Sequence, residues 1–336
     1  MKVIIYSTKK FEQEFFLAAG AGIYDIGLVS QTLNAETCHL AKGYDAAIIC
    51  TEDDASAKQL EILKQRGIKY IVTRAADYGN VDIKKAEELK MKVANVASAS
   101  TNATAEYTVA MILTLNRKII VASRQVAQSD FSAEGLAGFD LYNKTVGIVG
   151  TGKTGAVVAK ILHGFGCRLV AYDPYPDIEL TRSYHVNYVG LEQLCATCDI
   201  ITIHTAINPS TKYLIDEGLI NEMKPSVMLI NTARGSVVNL YAVYKALLEG
   251  RMAYFGADIC FGGNSKLPFY GTNAQPEDEL LGNLIKLPNV LITPHIAQAT
   301  TDALANVANI CFGTISNWLT NHNNPNEISF KERGRS

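Results

Sequence analysis

Apolar positions along this chain come in two kinds of run. Short continuous runs of Val, Ile, Leu and Ala alternate with longer stretches in which apolar residues return every three or four positions. The short runs read as strands buried on both faces, the longer ones as helices that cover them. The pattern predicts strands over 3–7, 45–51, 68–73 and 92–96, with helices over 12–19, 54–66 and 81–89 between them. One long helix is predicted over about 102–128. Its apolar residues, among them Val109, Met111, Ile112, Leu115, Ile119 and Val121, wrap more than one face. Such a helix is expected to be buried on several sides, at a domain junction or a subunit interface.

A second series follows, with strands over 146–149, 169–173, 200–204, 227–231, 254–258 and 290–293. Six strands are the complement of a full dinucleotide-binding domain. An irregular stretch with Gly262-Gly263 separates the last two, and long loops inside compact domains are usually functional. A last helix over 300–319 and a polar tail over 321–336, expected to fray, complete the chain. The fold class is therefore α/β, with parallel sheets covered on both faces. A chain of 336 residues exceeds what one core usually holds, so two domains are expected.

Composition narrows the partners. Hydrophobic residues make up 48% and charged residues 19%, and the net charge is −2, so neither nucleic acid nor an anionic membrane is implied. No apolar run approaches the roughly 20 residues a bilayer requires. The N-terminal apolar stretch is too short for a signal peptide. Seven scattered cysteines suit reduced thiols in the cytoplasm. Cys195 and Cys198 have redox spacing but read as buried thiols. His39, His163, His185, His204 and His322 form no ligand set, and no metal is expected.

The most specific signal lies at the start of the second series. The strand ending at Val149 runs into Gly150-Thr151-Gly152-Lys153-Thr154-Gly155, and a helix follows. In such a turn the first glycine permits the bend and the second lets the backbone approach a pyrophosphate. The third allows helix and strand to pack closely, and the helix N-terminus favours the anion. Asp173 follows the first glycine by 23 residues, near the expected spacing of about 20. A carboxylate there accepts from ribose hydroxyls and repels a 2′-phosphate, which favours NAD over NADP.

Several motifs together resemble the D-isomer-specific 2-hydroxyacid dehydrogenases, especially the D-lactate dehydrogenase branch. They include Thr73-Arg74, Val81-Asp82, residues 102–106 and 144–155, Asn231-Thr232-Ala233-Arg234-Gly235, Gly256-Ala257-Asp258 and residues 288–295. The resemblance implies two Rossmann-like or flavodoxin-like domains with a cleft between them. Residues 1–99 with 299–336 would form the discontinuous substrate domain and 100–298 the NAD domain. Hinges are implied near 98–100 and 296–300, with a homodimer built on the NAD domain and its long helix. Arg234 then binds the substrate carboxylate and polarises its carbonyl, and His295 is the acid that protonates the new alkoxide. Thr205, Ala206, Thr232, Ala233 and His295 join the cofactor site. Asp258 is implied near the nicotinamide, although a turn former at a strand end is almost as good a reading.

The expected substrate pocket departs from the family at three places. The orienting glutamate expected after Asp258 is replaced by Gly263. Asp77, in Ala76-Asp77-Tyr78-Gly79, stands where a glycine is usual, and Ala99 stands where the lactate branch tends to carry tyrosine. The sequence thus implies an NAD-dependent oxidoreductase interconverting a 2-oxo acid and a D-2-hydroxy acid, with altered substrate or reduced activity. The alternative is a non-catalytic NAD(H)-binding sensor or corepressor-like protein.

Overall fold

A computed structural model describes residues 1–97, 99–258 and 279–329. The chain forms two compact units, Met1–Ser100 with Ala299–Ser336, and Thr101–Gln298. The first unit holds strands β1 (Lys2–Ile5), β2 (Asp25–Leu28), β3 (Ala46–Ile49), β4 (Tyr70–Thr73) and β5 (Lys92–Asn95), with β13 (Glu327–Ile328) from the far end of the chain. Their order in the sheet is β13-β5-β4-β3-β1-β2. The second unit holds β6 (Thr145–Val149), β7 (Arg168–Tyr172), β8 (Asn187–Tyr188), β9 (Ile200–Ile203), β10 (Met228–Asn231), β11 (Tyr254–Asp258) and β12 (Val290–Thr293). Their order is β12-β11-β10-β9-β6-β7-β8, with every pairing parallel. The first order, β13 aside, is the flavodoxin-like arrangement. The second is the dinucleotide-binding order with one further strand beside β11.

The central strands are buried on both faces because almost nothing in them is polar. In β3, Ala46–Ile49 is fully buried, and in β9 Thr202 is buried along with Ile200, Ile201 and Ile203. Each crossover helix covers a face. Helix Lys153–Gly164 buries Val158, Ala159 and Leu162, and helix Leu240–Leu248 buries Ala242, Val243, Ala246 and Leu247. Helix Thr301–Leu319 returns to the first unit, where Ala308, Cys311, Phe312, Ile315 and Trp318 pack with β1, β3 and β4.

Four elements differ from the sequence expectation. Asp25–Leu28 forms the edge strand β2, whose Asp and Gly hide it from a propensity reading. Asn187–Tyr188 adds a seventh strand to the second sheet. The long helix is two helices, Thr101–Asn116 and Ile119–Ala127, broken where Lys118 takes a left-handed conformation (φ 50°). Only the first is buried on several sides; the second buries no residue. Residues 321–329 of the tail are ordered rather than frayed. Glu327 and Ile328 pair antiparallel with β5, and the Glu327 carboxylate accepts the Trp318 indole N–H at 2.6 Å.

Candidate active site

The second sheet gathers one edge of loops. Parallel strands all end on the same side, so the segments after β6, β7, β9, β10, β11 and β12 open onto one rim. Gly150–Gly155, Asp173, Thr205–Ala206, Thr232–Arg234, Asp258 and His295 follow or end these six strands.

The glycine turn has the geometry that a pyrophosphate needs. Gly150 has φ 92°, and a Cβ there would lie 3.0 Å from the His204 carbonyl carbon and the Thr205 methyl. Only glycine meets both demands. A Cβ on Gly155 would lie 2.0 Å from the Gly150 oxygen, so strand and helix touch through bare backbone. Gly152 has open space around it and starts helix Lys153–Gly164 without a side-chain cap. The first-turn amides of that helix therefore have no side-chain acceptor and suit an anion. Two more polar atoms lack partners at this rim, the buried Nε2 of His204 and the buried Oγ1 of Thr205. Burial holds His204 neutral, its pKa lowered to about 4. Bare backbone, an uncapped helix start and unpartnered polar atoms fit a dinucleotide.

Asp173, just past β7, is already engaged. One oxygen accepts the Thr151 N–H at 2.7 Å and the Thr151 hydroxyl at 3.2 Å, and the other accepts the Tyr175 N–H at 2.8 Å.

Beyond β10, the Asn231 side chain shapes a turn. Its Oδ1 accepts the Ala233 N–H at 3.0 Å and its Nδ2 donates to the Arg234 carbonyl at 2.9 Å. Thr232 is tied to Thr108 of helix Thr101–Asn116 by a buried hydroxyl pair at 2.7 Å. Arg234 is thus positioned through its backbone, and its guanidinium spends one bond on the Ala233 carbonyl.

His295 has φ 56°, a conformation that costs an L-residue about 1 kcal/mol or more. Asp258 holds it there. That carboxylate is 1% exposed and accepts from the Thr293 hydroxyl at 2.6 Å and the Ile296 and Ala297 amides at 3.0 and 2.6 Å. Asp258 is therefore the anchor of the turn carrying His295, and its hydrogen bonds run to the protein. Tyr107 joins Thr293 and Asp258, and burial raises its phenol above the ordinary value. Position 263 lies outside the described residues.

In the first unit, Ala76, Asp77 and Tyr78 follow β4 and Ala99 follows β5. Arg74 enters this loop with its guanidinium committed inside the fold, to Glu12 at 2.6 Å and to the Ser7 carbonyl at 2.7 Å. Asp77 Oδ1 accepts the Gly79 N–H at 2.9 Å, and Asn95 donates to the Ala76 carbonyl at 2.7 Å. Sequence reasoning missed Thr108, Asn231 and Tyr188. The Asn231 motif was visible, but the partner of each side chain was not.

Among the described residues no group of three or more His, Cys, Asp or Glu could hold a metal ion, and no helix is long and apolar enough to cross a membrane. Cys195 and Cys198 are fully buried, and burial pushes their thiols up to about 12 and 11, away from redox activation.

Fold and rim together define a dinucleotide-binding protein of the Rossmann class. Residues 109–297 match the family model described as D-isomer specific 2-hydroxyacid dehydrogenase, NAD binding domain. The chain is 34% identical to D-lactate dehydrogenase of Escherichia coli (strain K12) over 98% of its length and 100% of that protein's. It is 37% identical to a 2-hydroxyacid dehydrogenase homolog of Zymomonas mobilis, over 94% of its length and 96% of that relative's. The apo structure of the Escherichia coli enzyme superposes with a TM-score of 0.89 at 34% identity, covering 98% of this chain and 100% of that one. The NAD-complexed D-isomer specific 2-hydroxyacid dehydrogenase of Lactobacillus delbrueckii ssp. bulgaricus gives 0.82 at 29% identity, over 98% and 100% of the two chains. The chain belongs to the D-isomer specific 2-hydroxyacid dehydrogenase family, in its D-lactate dehydrogenase branch. It is an NAD-dependent oxidoreductase that interconverts 2-oxo and D-2-hydroxy acids, and the non-catalytic alternative is not favoured.

Proposed function

We propose that the enzyme reduces a 2-oxo acid other than plain pyruvate to its D-2-hydroxy acid, with Arg234 and His295 as the catalytic residues. The observation that carries this reading is the shared rim of β10, β11 and β12. There Asn231 presents Arg234, and Asp258 presents His295 in a conformation it would not adopt unaided. The bound nicotinamide supplies the hydride. Arg234 binds the substrate carboxylate and draws electron density from the carbonyl, and the His295 imidazolium donates a proton to the new alkoxide oxygen. Gly150–Gly155 receive the pyrophosphate, Asp173 the adenosine ribose, and Thr205, Ala206, Thr232 and Ala233 line the cofactor. Residues 1–99 with 299–336 serve the substrate through Ala76, Asp77, Tyr78 and Ala99. Asp77 adds a negative charge to the loop after β4, and this supports a substrate preference different from that of plain pyruvate reductases.

The protein works in the cytoplasm as a homodimer built on helix Ile119–Ala127. Ile119, Ile120, Val121 and Val126 on that helix are 38–52% exposed, which supports an apolar face awaiting its twin. NADH consumption against a panel of 2-oxo acids, with chiral analysis of the product, tests the reading. A D-2-hydroxy acid product is expected. NADH binding without turnover of any acid, or an L-product, would overturn it.

A further inference from the structure

Tyr188 was not singled out in the sequence, yet its hydroxyl sits at the middle of a chain of hydrogen bonds that ends on the Asp173 carboxylate. The Asp177 N–H donates to the Tyr188 oxygen at 3.0 Å, and the Tyr188 hydroxyl lies 2.9 Å from Thr151 Oγ1. Thr151 Oγ1 in turn lies 3.2 Å from Asp173 Oδ2. The direction of every bond follows from chemistry. A backbone N–H can only donate and an ionised carboxylate can only accept. Thr151 must therefore give its proton to Asp173, and Tyr188 must give its own to Thr151.

The chain spans three segments. Thr151 is the residue between the first two glycines of the turn, Tyr188 lies on β8, and Asp173 and Asp177 bracket the loop after β7. Tyr188 thereby clamps that loop at both ends, directly at Asp177 and through Thr151 at Asp173. Thr151 is only 6% exposed, so water does not compete freely for these bonds. Each donor polarises the next, and the last bond is the charge-assisted one.

The lone pairs decide what Asp173 can still accept. Oδ2 holds the Thr151 amide and hydroxyl, which fills its two acceptor positions. Oδ1 holds the Tyr175 amide and retains one. The carboxylate is therefore fixed in rotation and left with one lone pair for a neutral hydroxyl. A 2′-phosphate would meet a negative charge that cannot swing away.

We propose that Tyr188 is a specificity-determining positioning residue, which acts through Thr151 to lock Asp173 and so sets the preference for NAD(H) over NADP(H). The inference rests on the assignment of Asp173 to the adenosine ribose. Without the Tyr188 hydroxyl, Thr151 can turn its own towards other acceptors, and Asp173 gains rotational freedom. Affinity for NADH should fall, and the barrier against NADPH should fall with it.

The test is calorimetric, on the full-length protein, with NADH, NADPH and ADP-ribose as titrants. ADP-ribose carries the diol without the nicotinamide, so its affinity reads the ribose site apart from catalysis. Tyr188→Phe should weaken NADH and ADP-ribose by about fivefold each, the worth of one ordinary hydrogen bond. It should weaken NADPH less or not at all, so that the NADPH-to-NADH ratio of dissociation constants narrows. Thr151→Val should do the same, and Thr151→Ser, which keeps the hydroxyl, should restore the wild-type ratio. In steady-state assays the loss should fall on the KM for NADH rather than on kcat. Equal weakening of NADH and NADPH in Tyr188→Phe, or no change in either, would overturn the proposal. Asp173→Asn separates the two levels of the argument. If it leaves the NADPH-to-NADH ratio unchanged, the ribose assignment itself is wrong. If it narrows the ratio while Tyr188→Phe does not, the assignment holds and the Tyr188 lock is wrong.

Discussion

Arg234 does not use its guanidinium to build its own turn, because another side chain builds it. Asn231 makes both bonds that shape the backbone, and the guanidinium makes one, to a neighbouring carbonyl. Replacing Arg234 by Lys keeps the charge but loses the planar fork. We expect kcat/KM for 2-oxo acids to fall by about a hundredfold, while the dissociation constant for NADH, measured by fluorescence, changes little; equal losses in both would show that Arg234 serves the cofactor. Asp77 is the second residue with a sharp expectation. Its Oδ1 accepts the Gly79 amide, which Asn can also do, so Asp77→Asn removes the charge and keeps the turn. Two unit charges about 4 Å apart repel by about 4 kcal/mol at an effective dielectric near 20. Even a third of that is about tenfold in affinity. The variant is expected to raise kcat/KM for pyruvate about tenfold, through KM, and an unchanged KM across the acid panel would place Asp77 away from substrate. At this scale the residue types and their spacing were legible in the sequence. Their partners were not, because Asp258 meets Thr293, Ile296 and Ala297 across 35 to 39 positions of chain.

Helix and strand interiors follow the sequence pattern closely, and the differences fall at ends and breaks. The break at Lys118 and the end after helix Ile83–Glu88 both use a lysine in the left-handed region, φ 50° and 53°. Both are strong helix formers, so propensity points the wrong way there. Lys90 is exposed and follows the C-cap Leu89, the position where glycine is favoured. Lys90→Gly should therefore stabilise the protein by about 0.5–1 kcal/mol, seen as a higher denaturant midpoint at constant slope. A lower midpoint would mean that the lost side chain matters more than the relieved conformation. The strands β2 and β8 were missed for a related reason. Each is a sheet edge of four or two residues, with too few apolar positions to show a period.

The whole molecule carries two expectations of its own. The homodimer proposed on helix Ile119–Ala127 should fail when a charge enters its apolar face. Ile120→Glu is expected to sediment as a monomer of about half the wild-type mass; a wild type that sediments as a monomer would remove the dimer altogether. The second concerns acid. His204 is neutral in the folded state with a pKa lowered to about 4 by burial, against an ordinary value of 6.5. Between those values the unfolded chain binds a proton that the folded chain refuses. Stability from this group is thus complete above pH 6.5 and is lost as pH falls towards 4, at up to about 1.4 kcal/mol per unit. His204→Gln should flatten that part of the stability curve, and an unaltered slope between pH 6.5 and 4 would show that another group carries it.

By itself the sequence determined the α/β class, the position of the dinucleotide turn, the cofactor and the family. These are written in local signals: the period of apolar residues, three glycines at fixed spacing, and a carboxylate one strand later. Tertiary structure decided the rest. It broke one apolar helix into a buried piece and an exposed one, returned Glu327–Ile328 to the first sheet, made Asp258 the anchor of the His295 turn, and brought Tyr188 to Thr151. The physical reason is common to all four. Each depends on which surfaces meet after the strands have paired, and hydrogen bonds between residues far apart in the chain leave no period and no fixed spacing to read.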